Sequence, residues 1–301
     1  MSKLFDDPIV FRSLLEDLPI GIYVLDRERR IRFWNHGAER LTGHLAHEVV
    51  GQCDSGHLLQ PCDRHGHHLV DDHNPVAVTL HNGQAQQFSA FYLHKQGHRV
   101  AVKVRVRPIL AHGDAIVGVV NLFEDVFAFR EEAFGPLMFG CLDSATGVPS
   151  QRLTRAVLSE CLAGIQESKS GFGLLRVRVL GLEEFRAKHG PQSVVPFLRT
   201  TAQTLRHNLD FENFLGRWGQ DGFLAVLQSA SPMRVAATAE FLRRLLRQSE
   251  VTWWGDHFPI EAEVTSTVVQ LGDDLETLLR QLGLPPAGAG GSAPDSTARR
   301  G

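Results

Sequence analysis

The chain has 301 residues, a formal net charge of −3 and 43% hydrophobic residues, so it is long enough for two globular domains. This near-neutral balance argues against bulk binding of nucleic acid or of acidic membrane surfaces. No apolar run approaches the roughly 20 residues that a membrane-spanning helix needs, and the first residues are too polar for a signal peptide. Four cysteines are too few for a disulfide framework, so we expect a cytoplasmic protein.

The first half of the chain predicts a domain built on an antiparallel sheet. The predicted elements are a helix over 11–18, strands over 21–25 and 30–34, a helix over 35–41, and strands over 87–94, 99–107 and 115–123. Asn35 has the position of an N-cap, and Thr42-Gly43 ends the helix that it begins.

The strand over 99–107 carries the clearest alternating pattern of this half. The apolar positions are Val100, Val102, Val104 and Val106, and the charged positions between and beside them are Arg99, Lys103, Arg105 and Arg107. Because successive side chains of a strand point to opposite faces, this pattern predicts one buried face and one face in water.

Short motifs of this half, taken in order, resemble the PAS sensor domain. They are Asp17-Leu18-Pro19-Ile20-Gly21, Val24-Leu25-Asp26, Ile31-Arg32-Phe33-Trp34-Asn35, Ala38-Glu39-Arg40-Leu41-Thr42-Gly43 and Glu48-Val49-Val50-Gly51. The resemblance covers roughly residues 8–127, and we assign 1–127 to this domain. It implies a domain that binds a small ligand between sheet and helices, or that forms a homodimer.

Histidine is concentrated in this domain, with twelve of the fifteen between His36 and His112. The candidate sensor ligands for a metal or haem are Cys53, Cys62, His65, His67, His68 and His73. A subgroup of sensor PAS domains is similar here, and this chain keeps its Cys53, Asp63, Gly66, Leu69 and Pro75. Val70 and Asn74 stand where later cysteines of that subgroup would be. The interpretation that we favour is a solvated histidine-rich loop, and a metal, haem or redox sensor is the alternative.

Residues 128–141 read as a short connecting segment. Pro136 disfavours one long continuous helix there, so a coiled-coil rod is not expected. We expect Phe127, Phe129 and Phe134 to pack one domain on the other or on a second protomer.

The second half alternates helices and strands, as an α/β domain does. Ser150 could cap a helix with apolar positions at Leu153, Val157, Leu158, Leu162 and Ile165. The further predicted elements are a strand over 172–180, helices over 182–188 and 194–209, strands over 213–217 and 223–228, a helix over 233–246, a strand over 260–270 and a helix over 274–282. Residues 284–301 are rich in Pro, Gly, Ala and Ser and are predicted to be disordered.

The turn between the strands over 213–217 and 223–228 has a recognisable composition. It reads Gly219, Gln220, Asp221, Gly222 and Phe223, which predicts a tight hairpin. Together with Asp143-Ser144-Ala145-Thr146-Gly147, it resembles the GGDEF domain, the fold of diguanylate cyclases. The resemblance covers roughly 142–283 and implies a domain that converts two GTP molecules into cyclic-di-GMP.

The chain departs from that family where the chemistry needs specific side chains. Cyclisation of GTP needs a divalent metal held by carboxylates, and the two metal acids of the family fall on Arg178 and Gly222. The guanine-reading positions fall on Arg186 and Val195, the turn's second glycine on Gln220, and the product-binding Arg-x-x-Asp motif on 210–213, where it is absent. Asp221 remains as an acid in the centre. We therefore expect no catalytic residue and a degenerate domain that acts by binding a protein partner or by dimerisation.

Alternatives remain open at this point. An active cyclase with an atypical acid could use Glu183 or Glu184 if the alignment shifts by three residues. A receptor for GTP or cyclic-di-GMP could use Arg176, Arg178 and Arg217, since arginine suits phosphate.

Overall fold

The computed structural model describes residues 8–54, 56, 58–69, 74–111, 115–126, 141–168, 170–210 and 212–282. Several of the expectations above lie outside these residues. They are the connecting segment, which is described only at Cys141, with its lack of a coiled-coil rod, the packing of Phe127, Phe129 and Phe134, the role of His73, and the disorder of 284–301.

The described strands of the first domain form a five-stranded antiparallel sheet in the order β2-β1-β5-β4-β3. The elements are α1 (Pro8–Glu16), β1 (Gly21–Asp26), β2 (Ile31–Trp34), α2 (His36–Thr42), α3 (Ala46–Val49), α4 (Pro75–Asn82), β3 (Gln86–Leu93), β4 (Arg99–Leu110) and β5 (Ile116–Asp125). Helix α4 packs across β3, β4 and β5. The valines of β4 form the centre of the core, each at most 3% exposed.

Two asparagine caps fix the helices of this domain. Asn35 Oδ1 accepts from the backbone N–H of Ala38 and of Ile22, as predicted for the cap of α2. Asn74 caps α4, a helix that the sequence analysis did not predict, by accepting from the backbone N–H of Val76. Asn74 thus caps a helix at the position where the related PAS subgroup would have a cysteine.

The second domain contains a four-stranded antiparallel sheet, β11-β6-β8-β7, and a separate hairpin of β9 and β10. The elements are α5 (Gln151–Ser168), β6 (Phe172–Val179), α6 (Leu182–His189), a 3-10 turn (Pro191–Val194), α7 (Val195–Arg206), β7 (Phe214–Trp218), β8 (Gly222–Leu227), α8 (Pro232–Arg247), β9 (Glu250–Trp253), β10 (Asp256–Pro259), β11 (Ala262–Val269) and α9 (Leu275–Gln281). Residues of α7 and α8 pack on one face of the sheet, and residues of α5 and α9 pack on the other. The predicted fold class, two mixed domains with antiparallel sheets, is confirmed.

The sequence analysis did not predict the β9–β10 hairpin. Its turn contains Trp254, which is 90% exposed and has a φ of +53°. A bulky residue is uncommon in this left-handed region, so the composition gave no turn signal there except Gly255.

The two domains pack directly against each other. The turn between β3 and β4 lies on α7 and on the start of β9, where the backbone N–H of Glu250 donates to the carbonyl of Gly97 at 3.1 Å. Thr200 Oγ1 donates to the carbonyl of Gln96 at 3.2 Å. A small apolar cluster with members in both domains, Cys62, Phe91, Ala101, Phe241 and Leu245, extends this contact along α8.

Arg99 lies in the middle of this interface. The prediction that the charged face of β4 meets water is confirmed for Lys103, Arg105 and Arg107. It is wrong for Arg99, which is 1% exposed because the second domain covers it. The Arg99 guanidinium donates to three backbone carbonyls, those of Gln248 at 3.1 Å, Gln60 at 2.5 Å and Phe91 at 3.2 Å.

Candidate functional site

The candidate site is the signature turn between β7 and β8. Arg217, 8% exposed, packs over the ring of Phe223 with 5.0 Å from the guanidinium carbon to the ring centroid. Its guanidinium donates to the carbonyls of Gly222 at 2.8 Å and Gln220 at 3.1 Å. Burial lowers the pKa of Arg217, and Asp143, 3.8 Å away, opposes that change. Arg217 therefore holds the turn closed from the inside.

The positions that the resemblance assigns to the two metal acids face each other. Arg178 on β6 pairs directly with Gly222 on β8. The remaining carboxylate of the turn, Asp221, lies 2.7 Å from Arg178 Nε. This hydrogen bond raises the pKa of Arg178, so the guanidinium stays charged and neutralises the carboxylate that a metal would need.

The residues present do not fit a divalent metal site. A side chain at Gly222 would overlap the backbone carbonyl oxygen of Val177, so the backbone at this position does not accept an acid without moving. Asp221 is already paired with Arg178. Within the described ranges, no group of three or more potential metal ligands comes together.

The three arginines predicted to bind an anion do not converge. Arg176 and Arg178 alternate on the face of β6 that α5 and α9 cover, and Arg176 donates to the carbonyl of Leu282 at 2.7 Å. Arg217 lies opposite Phe223 in the β7–β8 register, and Phe223 belongs to the core on the other face of the sheet. Each arginine already has acceptors of its own.

The positions assigned to guanine reading and to an alternative acid lie at the edge of this site. Arg186 Nη1 lies 3.5 Å from Gln220 Oε1, and Val195 is the first residue of α7. Glu183 and Glu184 are exposed in the first turn of α6.

The segment where a product-binding motif would fall borders a cavity between the two domains. Asp210 and Asn213 line this space of about 290 Å³ together with Phe91 and Phe241. The described residues around it include no lysine or arginine. The described lining therefore lacks the positively charged side chains that usually bind the phosphate groups of a dinucleotide.

The candidate ligands in the first domain are divided between different surroundings. Cys53 is exposed, and Cys62 is buried at the domain interface with its Sγ 2.9 Å from Gln248 Oε1. His65 and His67 lie on a turn whose backbone N–H groups donate to Asp63. Partial burial acts to raise the pKa of Asp63, but these hydrogen bonds hold it below its ordinary value. His68 pairs with Cys62 through the backbone.

Described residues of the first domain enclose a cavity that is too small for a cofactor. It measures about 20 Å³, lies between Tyr23, Asp54 and Tyr92, and has room for about one water molecule. Burial raises the pKa of Asp54. A haem does not fit this space, and among the described candidates neither the two cysteines nor His65, His67 and His68 line it.

Sequence reasoning missed the polar residues that join the domains, namely His94, His98, Arg99, His207 and Gln248. The nearest signal is the composition of the turn His94-Lys95-Gln96-Gly97-His98-Arg99, which contains two histidines and an arginine. Nothing in a single strand's pattern indicates that a second domain will cover it.

The comparisons with known proteins agree with these two domains. The PAS fold family matches residues 10–126, and the GGDEF domain family of diguanylate cyclases matches residues 141–282. No curated protein sequence matches the chain. Among the described helices, none has the length and apolar character needed to cross a bilayer.

Solved structures with similar folds are distant in sequence. The diguanylate cyclase SiaD of Pseudomonas aeruginosa, in complex with its activator SiaC, is 20% identical with a TM-score of 0.47, over 52% of this chain and 60% of that chain. A sensory box/GGDEF family protein of Caulobacter crescentus CB15 is 19% identical with a TM-score of 0.39, over 42% of this chain and 83% of that chain. The PAS domain of a Colwellia psychrerythraea protein is 22% identical with a TM-score of 0.31, over 40% of this chain and 98% of that chain.

The order of elements, the hairpin with the signature turn and the two family matches lead to the same conclusion. The chain is a PAS domain followed by a GGDEF domain, the combination found in cyclic-di-GMP signalling proteins.

Proposed function

We propose that this protein signals through binding or dimerisation, and that its GGDEF domain does not synthesise cyclic-di-GMP. The observation that carries the proposal is the Arg178–Asp221 ion pair opposite Gly222. In the place where a metal would need two carboxylates, the chain has one carboxylate and one guanidinium, already joined.

Electrostatics give the size of the obstacle. A unit positive charge about 4 Å from a divalent cation is repelled by roughly 8 kcal/mol at an effective dielectric of 20. This is an upper figure because the side chain of Arg178 is 47% exposed and water screens it. Releasing Arg178 to avoid the repulsion would also break its ion pair with Asp221.

The test is incubation of the purified full chain with GTP and either Mg²⁺ or Mn²⁺, followed by chromatography of the products. We expect no cyclic-di-GMP above the level of a protein-free control. Sustained product formation that disappears in Asp221→Ala would overturn the proposal. The matched control is Asp256→Ala, an exposed carboxylate in the β9–β10 hairpin, which should leave any such activity unchanged.

A binding function has its own measurements. Calorimetry with GTP and with cyclic-di-GMP distinguishes a protein-binding domain from a nucleotide receptor, and we expect no heat beyond dilution.

We propose homodimerisation through the PAS domain, which light scattering across a range of protein concentrations tests directly. A mass that stays monomeric at every concentration would exclude it. The four free cysteines support a cytoplasmic location, and fractionation of cells that express the protein would test it.

A further inference from the structure

Three histidine rings are stacked across the interface between the two domains. His94 and His98, at the ends of the β3–β4 turn, have ring centroids 4.2 Å apart and an interplanar angle of 23°. His98 stacks in turn on His207, the C-terminal cap of α7, with centroids 5.5 Å apart and an angle of 17°. The stack therefore contains two rings from the PAS domain and one from the GGDEF domain.

The hydrogen bonding of His94 and the burial of His98 favour neutral rings at both positions. His94 Nδ1 accepts from the backbone N–H of Gln96 at 3.0 Å, and a proton on this nitrogen would break the bond. His98 is 4% exposed, and its buried Nδ1 has no partner among the described residues. Charging His98 would leave a cation buried between two other imidazoles.

Charged and titratable groups surround the stack from several elements. From the PAS domain they are His44 after α2, Lys95 with its partner Glu48, Arg99 on β4 and Asp125 at the end of β5. From the GGDEF domain they are His207 and Glu250. Asp125 Oδ2 lies 3.4 Å from His207 Nδ1, so a carboxylate faces the outer ring of the stack. His94 and His98, the two rings from the PAS domain, have imidazoles beside them.

We propose that this stack makes the docking of the PAS domain on the GGDEF domain depend on pH, with the docked arrangement favoured when His94 and His98 are neutral and weakened when they are protonated. Acidification would thereby alter the contact through which the two domains influence each other. This inference concerns the interface and does not depend on whether the GGDEF domain is catalytically inactive.

The direction of the effect follows from linkage. Burial, together with the neighbouring imidazoles His207 and His44, lowers the pKa of His94 to about 4. Burial and the rings of His94 and His207 hold the pKa of His98 well below its ordinary value. The part of this lowering that comes from α7 and His207 is lost when the domains separate. Docking is therefore fully favoured above the ordinary histidine pKa of about 6.5 and is lost progressively as the pH falls toward 4.

The interface contains a direct reporter of docking. The backbone N–H of Glu250 in the GGDEF domain donates to the carbonyl of Gly97 in the PAS domain, so its hydrogen exchange requires separation of the domains or unfolding. The backbone N–H of Leu180 donates to Glu261 inside the GGDEF domain at 2.8 Å and reports unfolding of that domain alone.

The experiment is NMR-detected hydrogen exchange of the full chain between pH 7.5 and 5, expressed as protection relative to the intrinsic rate. We expect protection of the Glu250 amide to fall below pH 6.5 by up to about tenfold per pH unit for each histidine that takes up a proton on undocking. Protection of the Leu180 amide should stay constant. A constant value at Glu250, or a parallel loss at both amides, would overturn the proposal.

Variants separate the stack from other acid effects. His98→Phe keeps an aromatic ring in the stack and cannot take up a proton, so the pH dependence at Glu250 should become shallower. His94→Phe, at the other PAS ring of the stack, should act in the same direction and serves if His98→Phe does not fold. The matched control His47→Phe, at an exposed position of the PAS domain, should keep the wild-type profile. Wild-type slopes in the variants of His98 and His94 would contradict the proposal.

Discussion

The signature turn and the domain interface each contact an arginine that extends from a sheet strand, and the surroundings of the two arginines are opposite. Arg178, on β6 beside the turn, is half exposed and is paired with Asp221. Arg99 in the interface is 1% exposed and donates to backbone carbonyls. An exposed ion pair contributes little stability because water screens it. A buried guanidinium is costly unless its acceptors are held in place, so Arg99 requires both domains in one arrangement and Arg178 does not.

The largest expected effect is that of Arg99→Ala. The substitution removes a buried side chain and leaves carbonyl groups at the interface without their donor, so it should lower the free energy of unfolding by about 3–5 kcal/mol. The matched control is Arg105→Ala on the same strand, since Arg105 is exposed and lies 3.7 Å from Glu124. The control should change stability by less than about 1 kcal/mol. Denaturant titration of the full chain measures both changes in unfolding free energy. Equal losses would show that burial at the interface does not distinguish Arg99 from Arg105.

Gly97→Ala should have the next largest effect. Gly97 has a φ of +88°, and a methyl group there would overlap the carbonyl oxygen of Glu250. We expect a loss of about 3 kcal/mol in unfolding free energy, together with faster exchange of the Glu250 amide.

Gly51→Ala is the control for that substitution. Gly51 has a φ of +91° and open space around it, so alanine there should cost only about 1 kcal/mol of backbone strain. The difference between the two glycines measures the domain contact. If both substitutions lower the free energy of unfolding equally, the cost at Gly97 comes from backbone strain and not from the contact between the domains.

The smallest effect should be that of Arg178→Ala. The ion pair joins side chains that are 47% and 36% exposed, so its loss should change the free energy of unfolding by less than about 1 kcal/mol. A double-mutant cycle with Asp221→Ala, followed by thermal denaturation at low and high salt, isolates the pair. A coupling above about 2 kcal/mol would mean that the turn depends on this pair as strongly as the interface depends on Arg99.

Local patterns were sufficient to predict most of the elements. The alternation of valines along β4, the cap at Asn35 and the glycines of the signature turn each act within a few residues, and the structure has the predicted element at each place. The helix α4 and the β9–β10 hairpin were missed. The first begins in a segment interpreted for its missing ligands, and the second turns at Trp254, whose backbone conformation is uncommon for its residue type.

The residues of the candidate site come from the resemblance, and their arrangement comes from the structure. The resemblance assigns Arg178 and Gly222 to the metal positions, and the β6–β8 register pairs these two residues directly. The sequence did not show whether Arg176, Arg178 and Arg217 lie together. In the structure two of them lie on one face of the sheet and the third lies on the other. Face assignment depends on strand register across the sheet, which residue composition alone does not supply.

The sequence by itself determined the two domains and their order, because these depend on local pattern and on residue identity at a few positions. Only the tertiary structure decided that Arg99 is buried, that Cys62 contacts Gln248, and that three histidines from two domains share one stack. The contacts between the domains, such as Cys62 with Gln248 and His98 with His207, join residues more than 100 positions apart, and they form only when two completed surfaces pack together. From the sequence alone, a charged residue on a strand is predicted to be exposed to solvent, and only the tertiary structure shows that a second domain covers it.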